Sequence, residues 1–303
     1  MRTQGTKVRL GYDVGRLRER RVRGQARHGL GRSILDGLAG LALVLAVSVG
    51  LVAAQAFVPA AIPEAGAGGV LAAPTAQQVM ERVQNFPVPK TMHGQLSMTL
   101  VSGGKGLARK MEIWQQGRDK TVIKFLEPAD VRGTAFLAIL SEGGGDDTMM
   151  LYLPALKAVR RVAGSQRQAS FMGSDFTYDD IANLGIRVED YTYQMLATEK
   201  GASGPIYVIS ATPKKPGKYT SLKLWVPEPV TLPSRVEFYQ GKELLKTLSV
   251  EHMQDFGSYR LPTKMVMTDR SSGHQTIIQL SDLETDVALP AYTFTQRFLT
   301  MPL

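Results

Sequence analysis

No cysteine occurs in the 303 residues. That absence excludes disulfides, thiolate nucleophiles, thiolate zinc sites and a lipid-modified N-terminal cysteine. Histidine is nearly as scarce. His28, His93, His252 and His274 are scattered without paired spacing, and no H-E-x-x-H is present, so a metal hydrolase has no ligand set to build on. There is no G-x-S-x-G. "SGGK" at Ser102–Lys105 matches S-x-x-K in form only, because that nucleophile and base need one helical turn and the two glycines make a turn between strands. "GGGDD" at Gly143–Asp147 leads into a strand pattern; a phosphate cradle leads into a helix, so this is a polar hairpin tip. These absences predict no catalytic residue, no metal site and no cofactor.

Charge is also missing from most of the chain. Residues 1–33 hold ten of the 36 Lys and Arg and two of the 27 Asp and Glu, which leaves a nearly neutral body of 26 basic against 25 acidic side chains. A nucleic-acid-binding face should lie on the folded domain, so nucleic acid is not an expected partner. The basic arm at 1–33 is followed, within residues 34–56, by "GLAGLALVLAVSVGLVAA" (Gly37–Ala54) and the small-residue end "AAQA". This is the pattern of a secretory signal, and its length equally suits a single membrane anchor. Either outcome exports the body beyond the Ala/Pro/Gly-rich linker at 57–74. The expected folded domain is 75–303, large enough for one sizeable core.

Within that domain "PTAQQVMERVQNF" predicts one N-terminal helix. Thr75 and Gln78 form a capping box, and Ala76, Val79, Met80 and Val83 share one face. Strand signals then dominate, from "GQLSMTLVS" to "TIIQLSDLE", short and turn-bounded, with no long helical pattern between them. A single antiparallel sheet of roughly ten strands curls, so the fold class is mainly β (α+β), a half-open antiparallel β-barrel. "MMLYLP", "PIYVIS" and "LKLWVP" are apolar on both faces, so they need outside cover or an apolar interior. The strand methionines, among them Met98, Met111, Met149, Met150, Met195, Met265 and Met267, suit an adaptable apolar surface as well as ordinary gap-filling.

"KAVRRVAGSQRQASFMGSDFTYDDI" (Lys157–Ile181) breaks the pattern. Arg160, Arg161 and Arg167 precede Asp175, Asp179 and Asp180 at a spacing that fits no calcium loop. A loop entering a short helix, capped by Ser174 or Asp175, is the simplest structure. It predicts a plug over the open, concave apolar side, with Phe171, Met172, Phe176 and Tyr178 lining or gating a cavity together with Met149, Leu151 and Trp225. Ser174, Asp175, Asp179 and Asp180 would fix the loop, and the three arginines would stand at the rim.

"KFLEPADVRGTAFL" (Lys124–Leu137) and "LPALKAVRRVAGSQRQASFMGSDFTYDDI" (Leu153–Ile181), with the closing "PAYTFTQRFL", resemble the outer-membrane lipoprotein-sorting protein family, in the branch bearing "SFMGSDF". The resemblance implies a half-open β-barrel around helices whose apolar cavity takes up acyl chains of lipoproteins or lipids in the periplasm. It also implies an arginine that helps close the cavity, with Arg160, Arg161 and Arg167 as the candidates, and an inner-membrane transporter as a candidate partner. The competing expectation is an accessory or scaffold subunit of an envelope complex, anchored by Gly37–Ala54 and without cargo of its own.

Overall fold

A computed structural model describes residues 73–141, 146–183, 187–229 and 232–302. The basic arm, the apolar segment at 34–56 and almost all of the linker lie outside the described residues. Among the described residues, no helix is long and apolar enough to cross a membrane.

Thirteen strands form one antiparallel sheet: β1 (Thr91–Ser102), β2 (Lys105–Gln116), β3 (Lys120–Glu127), β4 (Ala135–Ile139), β5 (Thr148–Leu153), β6 (Ala158–Arg161), β7 (Tyr191–Lys200), β8 (Pro205–Pro213), β9 (Ser221–Pro227), β10 (Arg235–Gln240), β11 (Glu243–Phe256), β12 (Tyr259–Asp269) and β13 (Gln275–Thr285). This exceeds the expected count of about ten; β6 in particular is a short piece with no alternation to announce it. Among the described residues, three α-helices accompany the sheet: α1 (Ala76–Gln84), α2 (Tyr178–Ala182) and α3 (Gln296–Thr300). α1 begins at Thr75 with the expected reciprocal capping box to Gln78 and buries Ala76, Val79, Met80 and Val83.

The strand order is β6-β5-β4-β3-β2-β1-β13-β12-β11-β10-β9-β8-β7. Sequence neighbours pair antiparallel except β6 and β7, and the one long-range ladder among the described residues joins β1 to β13. Register shifts at His93/Gln95, Lys110/Met111, Phe238/Tyr239 and Met195/Ala197 mark bulges, which tighten the twist and curl the sheet. The barrel stays open because β6 and β7 are its two edges. Consecutive in sequence, they stand at opposite ends of the sheet, so the chain between them must cross the open side. That crossing is the segment 162–190, which contains "SQRQASFMGSDFTYDDI".

The alternation sends one row of side chains inward from strand to strand: Leu151 faces Phe136 in register, Phe136 faces Ile123 and Ile123 faces Ile113. On the other limb, Ile278 faces Met265, Met267 faces Leu248, Leu248 faces Val236 and Val236 faces Leu224. These residues, α1 and the crossing segment make up the main core. A second cluster sits on the outside of the sheet, where Val122, Ala135 and Leu137 are covered by Leu299, with Phe294 and Phe298 beside them. The outward face of "MMLYLP" is covered in the same way, Met150 and Tyr152 packing against this cluster. Lys124, only 4 % exposed, ends its run under this cover. Its Nζ donates to the Met301 carbonyl at 3.1 Å and lies 4.0 Å from the Phe298 ring centroid.

Candidate functional site

The crossing segment fills only part of the concave side. Phe171 is fully buried, with ring centroids 6.0 Å from Phe125, 5.4 Å from Phe136 and 5.3 Å from Tyr178. Burying one such side chain contributes about 1.5–3 kcal/mol. The turn that presents it is tight: Phe171 N–H donates to the Phe176 carbonyl at 2.7 Å, Ser174 N–H to the Phe171 carbonyl at 3.0 Å, and Ser170 Oγ to the Ser174 carbonyl at 2.5 Å. Met172 and Gly173 both take positive φ, 53° and 80°. Glycine does so without penalty, whereas Met172 is held there by its neighbours. Arg109 of β2 donates to the Met172 carbonyl. α2 is capped by Thr177, whose hydroxyl accepts from Asp180 N–H while the Asp180 carboxylate accepts from Thr177 N–H. Ser174 and Asp175, expected as the cap, lie in the turn before it.

Asp175 and Asp180 bond this segment to the sheet, and Asp179 ties it to itself. Asp175 accepts from Thr276 Oγ1 at 2.6 Å and lies 2.8 Å from His274 Nδ1, both on or beside β13. Asp179 accepts from Arg167 Nε at 2.6 Å. Asp180 accepts from Lys246 Nζ at 2.5 Å and from the Tyr219 hydroxyl at 3.2 Å. Lys246 and Asp180 are only 5 % and 9 % exposed; burial drives the Lys246 pKa down against the opposing pull of Asp180, and burial beside Asp180 pushes the Tyr219 phenol well up. A second network closes over Asp147, which accepts from Arg167 Nη2 at 2.8 Å, Arg187 Nη1 at 3.3 Å and Ser141 N–H at 3.0 Å. Burial alone would raise the Asp147 pKa; the hydrogen bonds from Arg167 and Ser141 and the Arg187 charge outweigh it and hold the carboxyl below its usual range. Asp179 goes the other way, because its burial outweighs Arg167.

Beside the plug an apolar cavity of about 720 Å3 remains. Its wall is the inner face of β1 and β9–β13, including Leu96, Val236, Phe238, Leu248, Val250, Met265, Met267 and Ile278, with Val83 of α1 and Phe176 of the plug completing it. Charged side chains stand at its polar end: Asp146, Asp147, Asp179, Asp180 and Asp190, with Arg118, Arg167, Arg187, Lys215 and Lys218. Ligand cavities typically span about 300–1,000 Å3, apolar with a few polar groups, and this one falls within that range. Among the described residues, no group of three or more His, Cys, Asp or Glu is placed to hold a metal ion.

The fold recurs in known structures. A DUF1329 family protein from Desulfovibrio piger is 31 % identical over 74 % of this chain and 97 % of its own, with a TM-score of 0.70. The chain belongs to the DUF1329 family. A family model described as "Uncharacterized protein" also matches residues 117–301. A domain named for outer membrane lipoprotein sorting, from Vibrio parahaemolyticus, is 29 % identical over 75 % of this chain and 98 % of its own, with a TM-score of 0.69. A LolA superfamily protein from Nitrosomonas europaea, at 24 % identity over 75 % of this chain and 100 % of its own, shares the fold with a TM-score of 0.59. No curated protein matches the chain. The lipoprotein-sorting likeness expected from the "SFMGSDF" segment is therefore shown.

Of the side chains expected at the cavity, Phe176 is among its lining residues. Phe171, Met149 and Leu151 lie instead in the packed limb, with Tyr178 and Met172 half-buried against the same cluster. The plug occupies the space they would have opened onto. Trp225 is on the wrong face. Leu222, Leu224 and Val226 point inward, and the period of two sends Trp225 outside, where Lys223 Nζ and the Arg235 guanidinium each lie 4.7 Å from its ring centroid. Arg160 and Arg161 are exposed on edge strand β6, away from the cavity lining. Arg167 does reach the polar end, but Asp147 and Asp179 already engage it. Asp147, Arg187, Tyr219, Lys246 and His274 were missed. Asp147 looked like part of a polar hairpin tip, and its partner Arg187 lies 40 residues away in sequence. The alternation of β10–β13 was the one sequence signal for the lining, and it included Met265 and Met267.

Proposed function

We propose that this protein is a non-enzymatic carrier in the cell envelope that shields acyl chains of lipoproteins or free lipids in the cavity beside the plug. The observation that carries the reading is the apolar cavity of about 720 Å3 left between the plug and the inner face of β9–β13. Hiding a chain there requires no bond chemistry, since each buried CH2 contributes about 0.8 kcal/mol. The likeness to proteins named for lipoprotein sorting supports the same reading. Sorting toward the outer membrane, with an inner-membrane transporter as donor, is the role such a carrier would serve. Native mass spectrometry of the full-length chain, purified gently from membranes, tests it. Co-purifying acyl species and uptake of a fatty-acyl probe are expected. A ligand-free protein that takes up no probe overturns the reading, and a membrane-bound pool free of lipid would favour a cargo-less scaffold.

A further inference from the structure

We propose that the amphiphile held in the cavity carries an anionic head group, and that the Pro213–Lys218 loop between β8 and β9 receives it through Lys215 and Lys218. The proposal rests on the carrier reading and names the ligand class. Its ground is the distribution of charge among the residues lining the cavity. Of the five lining carboxylates, Asp147, Asp179, Asp180 and Asp190 are each engaged by Arg167, Arg187 or Lys246, which leaves Asp146 alone without an ion pair among the described residues, against two lysines. Asp180 is also committed to Thr177 N–H and the Tyr219 hydroxyl, so its acceptor sites are taken up. Lys215 and Lys218 line the same cavity, yet neither has a carboxylate within ion-pair distance among the described residues. Lys218 Nζ makes only a distant approach to the Tyr219 ring, 6.0 Å from its centroid.

Two exposed lysines alone would be ordinary solvated charges. These two sit where an apolar cavity opens, on "PKKPGK", whose prolines restrict the loop and lower the cost of presenting the cations. A chain lying along Val236, Leu248 and Met265 has its polar end at the charged mouth, where the unpaired cations are. The arginines expected for this task do not supply it, since Arg167 is engaged and Arg160 and Arg161 are elsewhere.

The test compares ligands of one chain length on the full-length protein: laurate and lauryl phosphate as the two anionic arms, monolauroylglycerol as the uncharged arm, and inorganic phosphate as a head group without a chain. At low ionic strength the anionic lipids should bind about three- to tenfold tighter than the glyceride, the gain expected of two partly exposed ion pairs, and added salt should shrink that ratio. Lys215→Gln with Lys218→Gln should bring the ratio to about one. Lys214→Gln, on the same loop but outside the lining, should leave it in place. Laurate and lauryl phosphate favoured alike indicates recognition of charge, and a preference for one names the head group; either supports the proposal. Equal binding of charged and uncharged lipids, a preference that survives the double substitution, or inorganic phosphate binding as well as lauryl phosphate overturns it while leaving the carrier intact. Failure of every lipid to bind overturns both.

Discussion

The two limbs of the curled sheet have similar inner faces but different contents. On β3–β5, Phe125 and Phe136 pack on Phe171 of the plug, and Ile123, Met149 and Leu151 belong to the same core without lining the cavity. On β10–β13, Val236, Leu248, Val250, Met265 and Ile278 are equally apolar but face a cavity. Composition does not separate them. The crossing segment does, because it leaves the sheet at β6, folds back first over the strands next to that edge, and leaves the far limb uncovered. Its ion pairs reach over the gap, through Lys246 on β11 and Asp175 to β13, so the plug is tied to the hollow limb without filling it.

The largest test of this contrast is Phe171→Ala. Emptying a packed aromatic site should cost about 3–5 kcal/mol, read from urea unfolding of the full-length chain; a loss below about 1 kcal/mol would mean that the filled limb is no better packed than the hollow one. Next comes Lys246→Ala, which strands Asp180 in a buried setting and should cost about 3 kcal/mol. Limited proteolysis within residues 162–190 should accelerate in that variant, and unchanged protection would show that this pair does not hold the plug. Acid should loosen the plug by a smaller amount. With its folded pKa below the ordinary 3.8, Asp147 contributes stability that is complete above that value and lost as pH falls through the folded one. Asp179, raised by burial, opposes this, since its protonation favours the folded state as pH falls. Stability measured from pH 6 down to pH 2 should therefore fall less steeply in Asp147→Asn than in the parent, at roughly constant Asp179 contribution; parallel curves would contradict the Asp147 assignment. In the hollow limb, Val250→Trp should change stability by less than about 1 kcal/mol, because the added ring enters open space instead of overpacking a core. Fluorescent fatty-acyl uptake should nonetheless drop sharply, and retained uptake would place the ligand elsewhere. Smallest of all, Trp225→Ala on the outer face should cost about 0.5–1 kcal/mol, the scale of an exposed cation–π contact, and leave probe uptake as it was.

Local rules were legible wherever one residue's neighbours in sequence decide its state. The Thr75 capping box and the apolar stripe of α1 are four residues apart or fewer, and both appear as expected. Twelve of the thirteen strands coincide with stretches read as strands from the sequence; β6 is four residues long and gives too short a window for any period. The candidate site was legible in part. That Lys157–Ile181 breaks the strand pattern followed from its composition, although its first residues form β6 (Ala158–Arg161); that the remainder crosses the open side follows from the placement of β6 and β7 as opposite edges. Trp225 was misplaced because "LKLWVP" is apolar on both faces, so its phase could not be read without the register against β8 and β10.

The sequence by itself determined the hairpin-built sheet, the capped N-terminal helix and the kinship carried by "SFMGSDF", since each depends on residues close together along the chain. Only the tertiary structure decided which limb is filled, that Asp147 gathers Arg167 and Arg187, and that Lys215 and Lys218 line the cavity with no ion-pair partner among the described residues. Those outcomes depend on groups brought together from far apart in the chain: Asp175 meets Thr276 across 101 residues and Asp180 meets Lys246 across 66. Pairings at such separations are set by the curl of the sheet and the path of one crossing segment, which no local pattern encodes.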